Sequence, residues 1–246
     1  MSGLLSSSTT ARNAMLVSLS LAAGCVDAIG FLALGHVFVA NMTGNTVLLG
    51  LAIGQWEWAA ALRAVTALAG FIGGVAAGAT LLHQDREGRE AWPPIVTLAL
   101  ALELLVLIAF AVGWVRAAPD PAGEAAYVLI LLSSLAVGVQ SSAVRRLGIP
   151  GVATTYITGT LTNLTEEAIG RLRSAVPRQD SRPSESGGSS ARGLMLPADV
   201  WLAYGLGAVL AGAIVLRWPS FAVLPSVIVL AAVVVVATAR YHRRRQ

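Results

Sequence analysis

Six apolar stretches of near-membrane length run through the chain, at residues 14–34, 64–82, 95–115, 125–144, 200–216 and 221–239. A helix needs about 20 mostly apolar residues to cross the hydrocarbon core of a bilayer. The fold class expected is therefore all-α, a polytopic membrane protein with six transmembrane helices, and residues 1–246 read as a single integral membrane domain. Composition points the same way: 12% of the residues are charged, against about 25% in soluble domains. The first run reads as a retained span rather than a cleaved signal. Only Arg12 precedes it among basic residues, no clear small-residue cleavage site follows, and Asp27 interrupts it.

The isoelectric point near 10.0 does not imply nucleic acid, because the basic residues sit at the borders of apolar runs instead of forming a face. All 17 basic residues are arginine, and their placement sets an orientation. Two shorter segments, 37–54 and 152–170, are interrupted by Thr43-Gly44 and Thr158-Gly159. If neither crosses the membrane, Arg63, Arg116 and Arg217 fall on one side and the other 14 arginines on the opposite side. If both cross, the split falls to about 12 to 5, and the cytoplasmic-arginine rule favours the more lopsided arrangement. The expectation is a membrane protein with both termini cytoplasmic and two re-entrant or broken Thr-Gly segments. Residues 171–196, rich in Ser, Arg, Gly and Pro over most of their length, read as a flexible cytoplasmic loop. Arg240, Arg243, Arg244 and Arg245 close the chain as a topology determinant able to attract anionic headgroups.

The chain also matches itself in one order: Gly24 with Gly138, Thr43-Gly44 with Thr158-Gly159, Gly73 and Gly78 with Gly207 and Gly212, and Trp92-Pro93 with Trp218-Pro219. Residues 14–115 and 125–239 are then two three-helix repeats. An odd number of spans per repeat makes the second enter the membrane in the opposite sense, a 3+3 inverted-topology repeat of the kind secondary transporters use.

Chemistry-bearing residues concentrate where the apolar pattern breaks. Asn41, Thr43, Gly44 and Asn45 in the first half, and Thr158, Gly159 and Thr160 in the second, supply hydroxyl, amide and free backbone groups. They read either as helix caps that hold a break in shape or as groups that also coordinate a small polar substrate or ion. Asp27 lies inside the first span, where a carboxylate costs on the order of 2.5–3.5 kcal/mol on insertion scales and must face protein or water. It is the leading candidate for a proton or cation site, with a structural hydrogen-bond role as the alternative. Its counterpart in the second half falls near Gln140 and Ser141. Glu103, at similar depth in the third span, is a second possible coupling acid. Gly70, Gly74 and Gly78 make a small-residue stripe suited to close helix packing within the protomer or in a homo-oligomer, with Gly205, Ala208 and Gly212 as its counterpart.

Enzymatic readings have no support. His36, His83 and His242 are scattered, and no metalloprotease, nucleophile-elbow or phosphate-loop motif is present. No cofactor and no metal are expected, and the lone thiol, Cys25, reads as buried and inert.

The string from Ala23-Gly24 through Val26-Asp27-Ala28 to Phe38-Val39-Ala40-Asn41-Met42-Thr43-Gly44-Asn45 resembles the YoaK family of bacterial inner-membrane proteins, and Gly138-Val139-Gln140 with Thr158-Gly159-Thr160-Leu161-Thr162 looks like that family's second signature. The resemblance implies a multi-pass membrane protein without an established substrate. Some relatives are labelled permeases, an analogy only. The function expected is a small-molecule or ion permease, a proton- or ion-coupled secondary carrier with its site at the repeat interface. The partners expected are the lipid bilayer and a small polar substrate or ion, with no nucleic acid. A passive channel of the same architecture, or a non-transport assembly or regulatory protein, are the alternatives.

Overall fold

The computed structural model describes residues 2–83, 92–117, 123–149, 157–175 and 192–242. Among these there are eight α-helices: α1 (Ser2–Ala33), α2 (Met42–Gly54), α3 (Trp58–Leu82), α4 (Pro94–Ala117), α5 (Glu124–Arg146), α6 (Ile157–Ala175), α7 (Arg192–Arg217) and α8 (Leu224–Ala237). A 3-10 turn, Pro219–Phe221, leads into α8 and a π turn, Thr238–His242, ends it. Six stretches are long and apolar enough to cross a membrane: Thr9–Ala33, Trp58–Leu82, Pro94–Ala117, Glu124–Arg146, Met195–Arg217 and Pro219–Tyr241. Each of the six predicted spans falls on one of them. α2 is apolar but at 13 residues rises only about 20 Å, short of a bilayer core. α6 is too polar to cross, since Glu166, Arg171 and Arg173 interrupt it. Part of the segment read as a loop is helical instead: α6 continues through Ala175 and α7 begins at Arg192. The rest of that loop, with Arg178 and Arg182, lies outside the described residues, as do Arg86, Arg89 and the terminal arginines from Arg243 on.

Two helix pairs form the centre. α1 lies against α7, and α3 against α5, in the most extensive packing of the molecule. Both pairs are parallel and both rest on glycine. At the first crossing a Cβ on Gly24 would strike the Tyr204 carbonyl and one on Gly207 would strike the Leu21 carbonyl. At the second, a Cβ on Gly138 would strike the Phe71 carbonyl and one on Gly74 would strike the Leu135 carbonyl. Only glycine lets the backbones come this close. Near the first crossing the Cys25 thiol donates to the Gly207 carbonyl at 3.1 Å and the Ser20 hydroxyl to the Val200 carbonyl at 2.8 Å. The second crossing adds Ser142 Oγ to the Val75 carbonyl at 3.0 Å. The two pairs run in opposite directions, since the start of α3 meets the end of α1 where Arg63 Nε donates to the Gly35 carbonyl.

This geometry corrects three sequence expectations. The residue equivalent to Gly207 is Gly74, not Gly73, because each lies three residues past the carbonyl met by the partner glycine. Gly73 has nothing within 4 Å of a Cβ. The counterpart of the Gly70, Gly74, Gly78 stripe is accordingly the buried Ala203, Gly207, Ala211 face, not Gly205, Ala208 and Gly212. Nor is the stripe free for a homo-oligomer: α5 fills it, with Leu131 and Ser134 at Gly70, Leu135 at Gly74 and Ser142 at Gly78.

α4 and α8 flank the central pairs and are joined at both ends. Trp114 Nε1 donates to the Pro219 carbonyl at 2.8 Å. At the far end the buried Trp92 stacks on Tyr241, with ring centroids 6.1 Å apart, and donates to Thr97 Oγ1 at 2.9 Å. Trp218, which aligns with Trp92 in the sequence self-match, is instead exposed.

Candidate functional site: the Asp27 clamp

α1 ends in a turn that takes the chain back along its own side. Leu34 N–H still bonds to the Gly30 carbonyl, and then Gly35 and His36 adopt left-handed φ of 83° and 63°, a conformation cheap for glycine and uncommon for histidine. The returning segment lies close against Gly30, where a Cβ would meet the Val37 carbonyl at 2.8 Å. One helical turn before Gly30 sits Asp27, 3% exposed. Its Oδ1 accepts from the Val39 N–H at 2.6 Å and the Ala40 N–H at 2.7 Å, and its Oδ2 accepts from the Tyr204 hydroxyl of α7. A carboxylate that accepts from fixed donors offsets much of its desolvation cost.

The Asn-Met-Thr-Gly-Asn string then starts α2, and its side chains have distinct tasks. Asn41 is the N-cap, its Oδ1 accepting from the Gly44 N–H at 3.0 Å. Asn45, fully buried, ties back to Phe38 in both directions: Oδ1 accepts from the Phe38 N–H at 2.9 Å and Nδ2 donates to the Phe38 carbonyl at 2.5 Å. Gly44 leaves room for the Phe38 ring, which stacks on Phe31 of α1 at 5.1 Å. Thr43 is exposed, and the Thr46 hydroxyl returns to the Met42 carbonyl at 2.9 Å. Asp27 therefore fixes the entry to α2 roughly two turns below the end of α1, and α2 climbs back from there to Trp56, whose φ of 61° turns the chain into α3.

Of the predicted site residues, Asp27, Asn41, Thr43, Gly44 and Asn45 are brought together. Gln140 is not with them: its Nε2 donates to the Leu19 carbonyl at 3.3 Å, about 12 Å along α1 from Asp27, where the two central helices meet. Thr158, Gly159 and Thr160 open α6, which packs on α7 while α2 packs on α3. The two Thr-Gly segments thus have different hosts and share no broad interface. Thr160 is buried and Thr158 exposed, and the Thr162 hydroxyl bonds the Thr158 carbonyl at 3.1 Å. The preceding Thr154, Thr155 and Tyr156 lie outside the described residues. Glu103 is apart from all of these, on α4, and 3% exposed.

Tyr204 was not anticipated from the sequence. A hydroxyl in an apolar span three residues before a packing glycine is the signal that marks it, since the equivalent residue in the other half is Phe71. No group of three or more His, Cys, Asp or Glu able to hold a metal ion occurs among the described residues.

Comparison with known proteins gives these geometries a family. No solved structure matches the chain. It is similar to the UPF0700 transmembrane protein YoaK of Bacillus subtilis (strain 168), 48% identical over 161 residues that cover 65% of this chain and 69% of the relative. Residues 15–236 match the family described as Protein of unknown function (DUF1275). The match takes in the Asp27 clamp, both glycine crossings and all of α4, and on that extent the chain belongs to the DUF1275 family of membrane proteins that includes YoaK.

Proposed function

We propose that this chain is a small-molecule or ion permease of the bacterial inner membrane, a secondary carrier and not an enzyme, with both termini cytoplasmic. The observation that carries the reading is the exchange of partners between halves: the first span of each half packs on the second span of the other, α1 on α7 and α5 on α3, and the two pairs run in opposite directions. That is the arrangement expected of a 3+3 inverted-topology repeat, in which two rigid bodies rock about a shared site. Directly between the pairs, α1 and α5 touch sparingly along the line that Gln140 crosses to Leu19, and the stronger link between them runs through α4 and α8, packed on α5 and α1 and joined to each other at both ends.

Asp27 and α2 give this scheme a moving part. α2 packs on α3, in one body, while the segment leading into it is held by Asp27 and Tyr204, in the other. Relative motion of the bodies must either carry α2 along or break the Asp27 bonds, and a short helix whose backbone ends are satisfied by side chains is tolerated at membrane depth where it lines a hydrated path. The substrate fitted by such a path is small, polar and able to accept hydrogen bonds from backbone N–H groups at the start of α2.

The test is solute uptake by the purified protein in proteoliposomes, with the panel chosen by a thermal-shift screen of metabolites and ions. A ligand that binds the folded state raises its melting temperature by mass action. The expected result is saturable uptake of a shifting ligand, driven by an imposed ion or proton gradient. Uptake that ignores every gradient would replace the carrier with a channel. No uptake of any stabilising ligand would overturn transport.

A further inference from the structure

α4 buries one face against its neighbours, and a stripe along it runs Val96, Leu100, Glu103, Leu107, Phe110 and Trp114, each 3% exposed or less. Five of these are the apolar residues such a stripe requires. The sixth is a carboxylic acid whose Oε2 is buried with no hydrogen-bond partner. Its depth is set by the two joints between α4 and α8. Glu103 is eleven residues after Trp92 and eleven before Trp114, so it sits about 16 Å from either, at the middle of the span.

The contrast with Asp27 is chemical. Asp27 has both oxygens engaged, by two backbone N–H groups and a phenol, and acts as a clamp. Glu103 binds nothing that holds the fold together. Among the described side chains, the charged and titratable ones on the elements packed against α4 stand near the ends of those elements: Glu124, Tyr127, Arg145 and Arg146 on α5, Arg63 on α3, and Arg240 and Tyr241 on the π turn after α8. None is paired with Glu103. An ionised carboxylate isolated at that depth costs several kcal/mol, which leaves two stable forms, the neutral acid or a carboxylate with a cation on it. A metal cation needs several oxygen ligands, and no group of three or more His, Cys, Asp or Glu that could hold one occurs among the described residues. A proton needs none.

We propose that Glu103 is the proton-exchange site of this protein, and that Asp27 is a structural clamp. In one cycle the Glu103 carboxyl gives its proton to water reaching it from one side of the membrane. It then recovers a proton from hydronium on the other side after the helix pairs move, so that one proton crosses and the residue returns unchanged. Its role as a coupling site rests on the permease reading; its proton exchange does not. An acid that contributes no fold-stabilising bond to a leucine-lined stripe weakens the fold, and leucine at that position is the better structural residue.

Infrared spectroscopy of the protein reconstituted in lipid tests the exchange directly. Wild type should show the carbonyl stretch of a protonated, unbonded carboxyl. That band should shift when the sample is moved into D2O, vanish in Glu103→Gln and Glu103→Leu, and persist in Asp27→Asn. Glu103→Leu should also melt at a higher temperature than wild type. Absence of the band, a band that D2O never shifts, its persistence in both Glu103 variants, or a lower melting temperature in Glu103→Leu would each overturn the proposal. In proteoliposomes, Glu103→Gln should lose proton-driven accumulation of a transported solute at least tenfold while keeping solute-for-solute exchange. Equal proton-driven accumulation in Glu103→Gln and wild type would overturn the coupling role. A wild type that moves no solute, but whose band exchanges in D2O, would overturn the permease reading and leave the site standing.

Discussion

The Tyr204 hydroxyl donates to Oδ2 of Asp27 across 177 residues of sequence, on the same carboxylate whose Oδ1 holds the Val39 and Ala40 N–H groups. One side chain of α1 thus binds the entry to α2 on one side and the second half of the protein, through α7, on the other.

Removing the phenol tests that bond. Tyr204→Phe leaves Oδ2 of a buried carboxylate without its donor, a loss of about 1–3 kcal/mol. Asp27→Asn keeps one oxygen for the two N–H groups and can donate its amide to the Tyr204 oxygen, so it should cost less than Asp27→Leu, which strands all three donors. The two residues should also couple: in thermal melts of detergent-solubilised protein, Tyr204→Phe with Asp27→Leu should destabilise by at least about 0.5 kcal/mol less than the sum of the singles. Additive effects would show that the hydroxyl adds nothing through Asp27.

The glycine crossings predict a sharp positional pattern. Gly207→Ala and Gly74→Ala push a methyl into the Leu21 and Leu135 carbonyls, and overpacking of this kind costs typically about 1–3 kcal/mol. Gly73→Ala meets open space and should stay within about 0.5 kcal/mol of wild type. Folded yield by size-exclusion chromatography and the melting midpoint separate the cases; a loss at Gly73 equal to that at Gly74 would refute the assigned register.

These comparisons also mark what sequence reading delivers for such a chain. Six spans were legible because a bilayer demands about 20 apolar residues each time, a requirement visible without knowing any neighbour. The placement of Asp27 beside the Asn41 segment also has a local cause that is legible in the chain: the turn at Gly35 returns it along α1. Tyr204 was not, since nothing local in α7 says which helix its hydroxyl faces. The Gly73 and Gly74 ambiguity has the same root. In a run of small residues, a one-residue change in pairing turns the face by about 100°, and only the partner's carbonyl decides it. α6 carries its Thr-Gly pair in its first turn and stays helical through Ala175, past the point at 171 where composition turns loop-like, because composition does not report the packing of α6 on α7.

Asn45 offers a test of the α2 entry independent of Asp27. Its amide makes two bonds to the Phe38 backbone, at 2.9 and 2.5 Å, and Asn45→Ala strands the N–H and carbonyl of the half-buried Phe38 at a cost of about 1–2 kcal/mol. Asn45→Asp retains the acceptor and loses the donor, so its loss should be intermediate. A thiol introduced at Ala40, 4% exposed in wild type, should react slowly with maleimide alone and at least tenfold faster in the Asn45→Ala background. An unchanged rate would mean that the segment is held without Asn45.

The last prediction concerns orientation. Arg63, Arg116 and Arg217 share one end of the bundle with Trp56, Trp58 and Trp218, because the ends of α1, α4 and α7 and the starts of α3, α5 and α8 meet there. Trp56, Trp58 and Trp218 are 76%, 61% and 59% exposed, and Trp56 packs edge-on against Trp58 at 5.9 Å. Exposed indoles at a helix end belong at the headgroup layer, and the arginine-poor end belongs outside the cytoplasm by the same rule. The native thiol helps the measurement: Cys25 is fully buried and bonded to Gly207, so it gives little background. Single cysteines at Gln55 and Arg116 should react in intact cells with a membrane-impermeant maleimide, and cysteines at His83 and Arg86 only after the membrane is opened. Labelling of Gln55 from outside also tests α2. If α2 crossed the bilayer instead of returning, Gln55 would lie on the cytoplasmic side and stay unlabelled in intact cells. The reverse result, with His83 and Arg86 labelled from outside, would invert the whole molecule and with it the assignment of cytoplasmic termini.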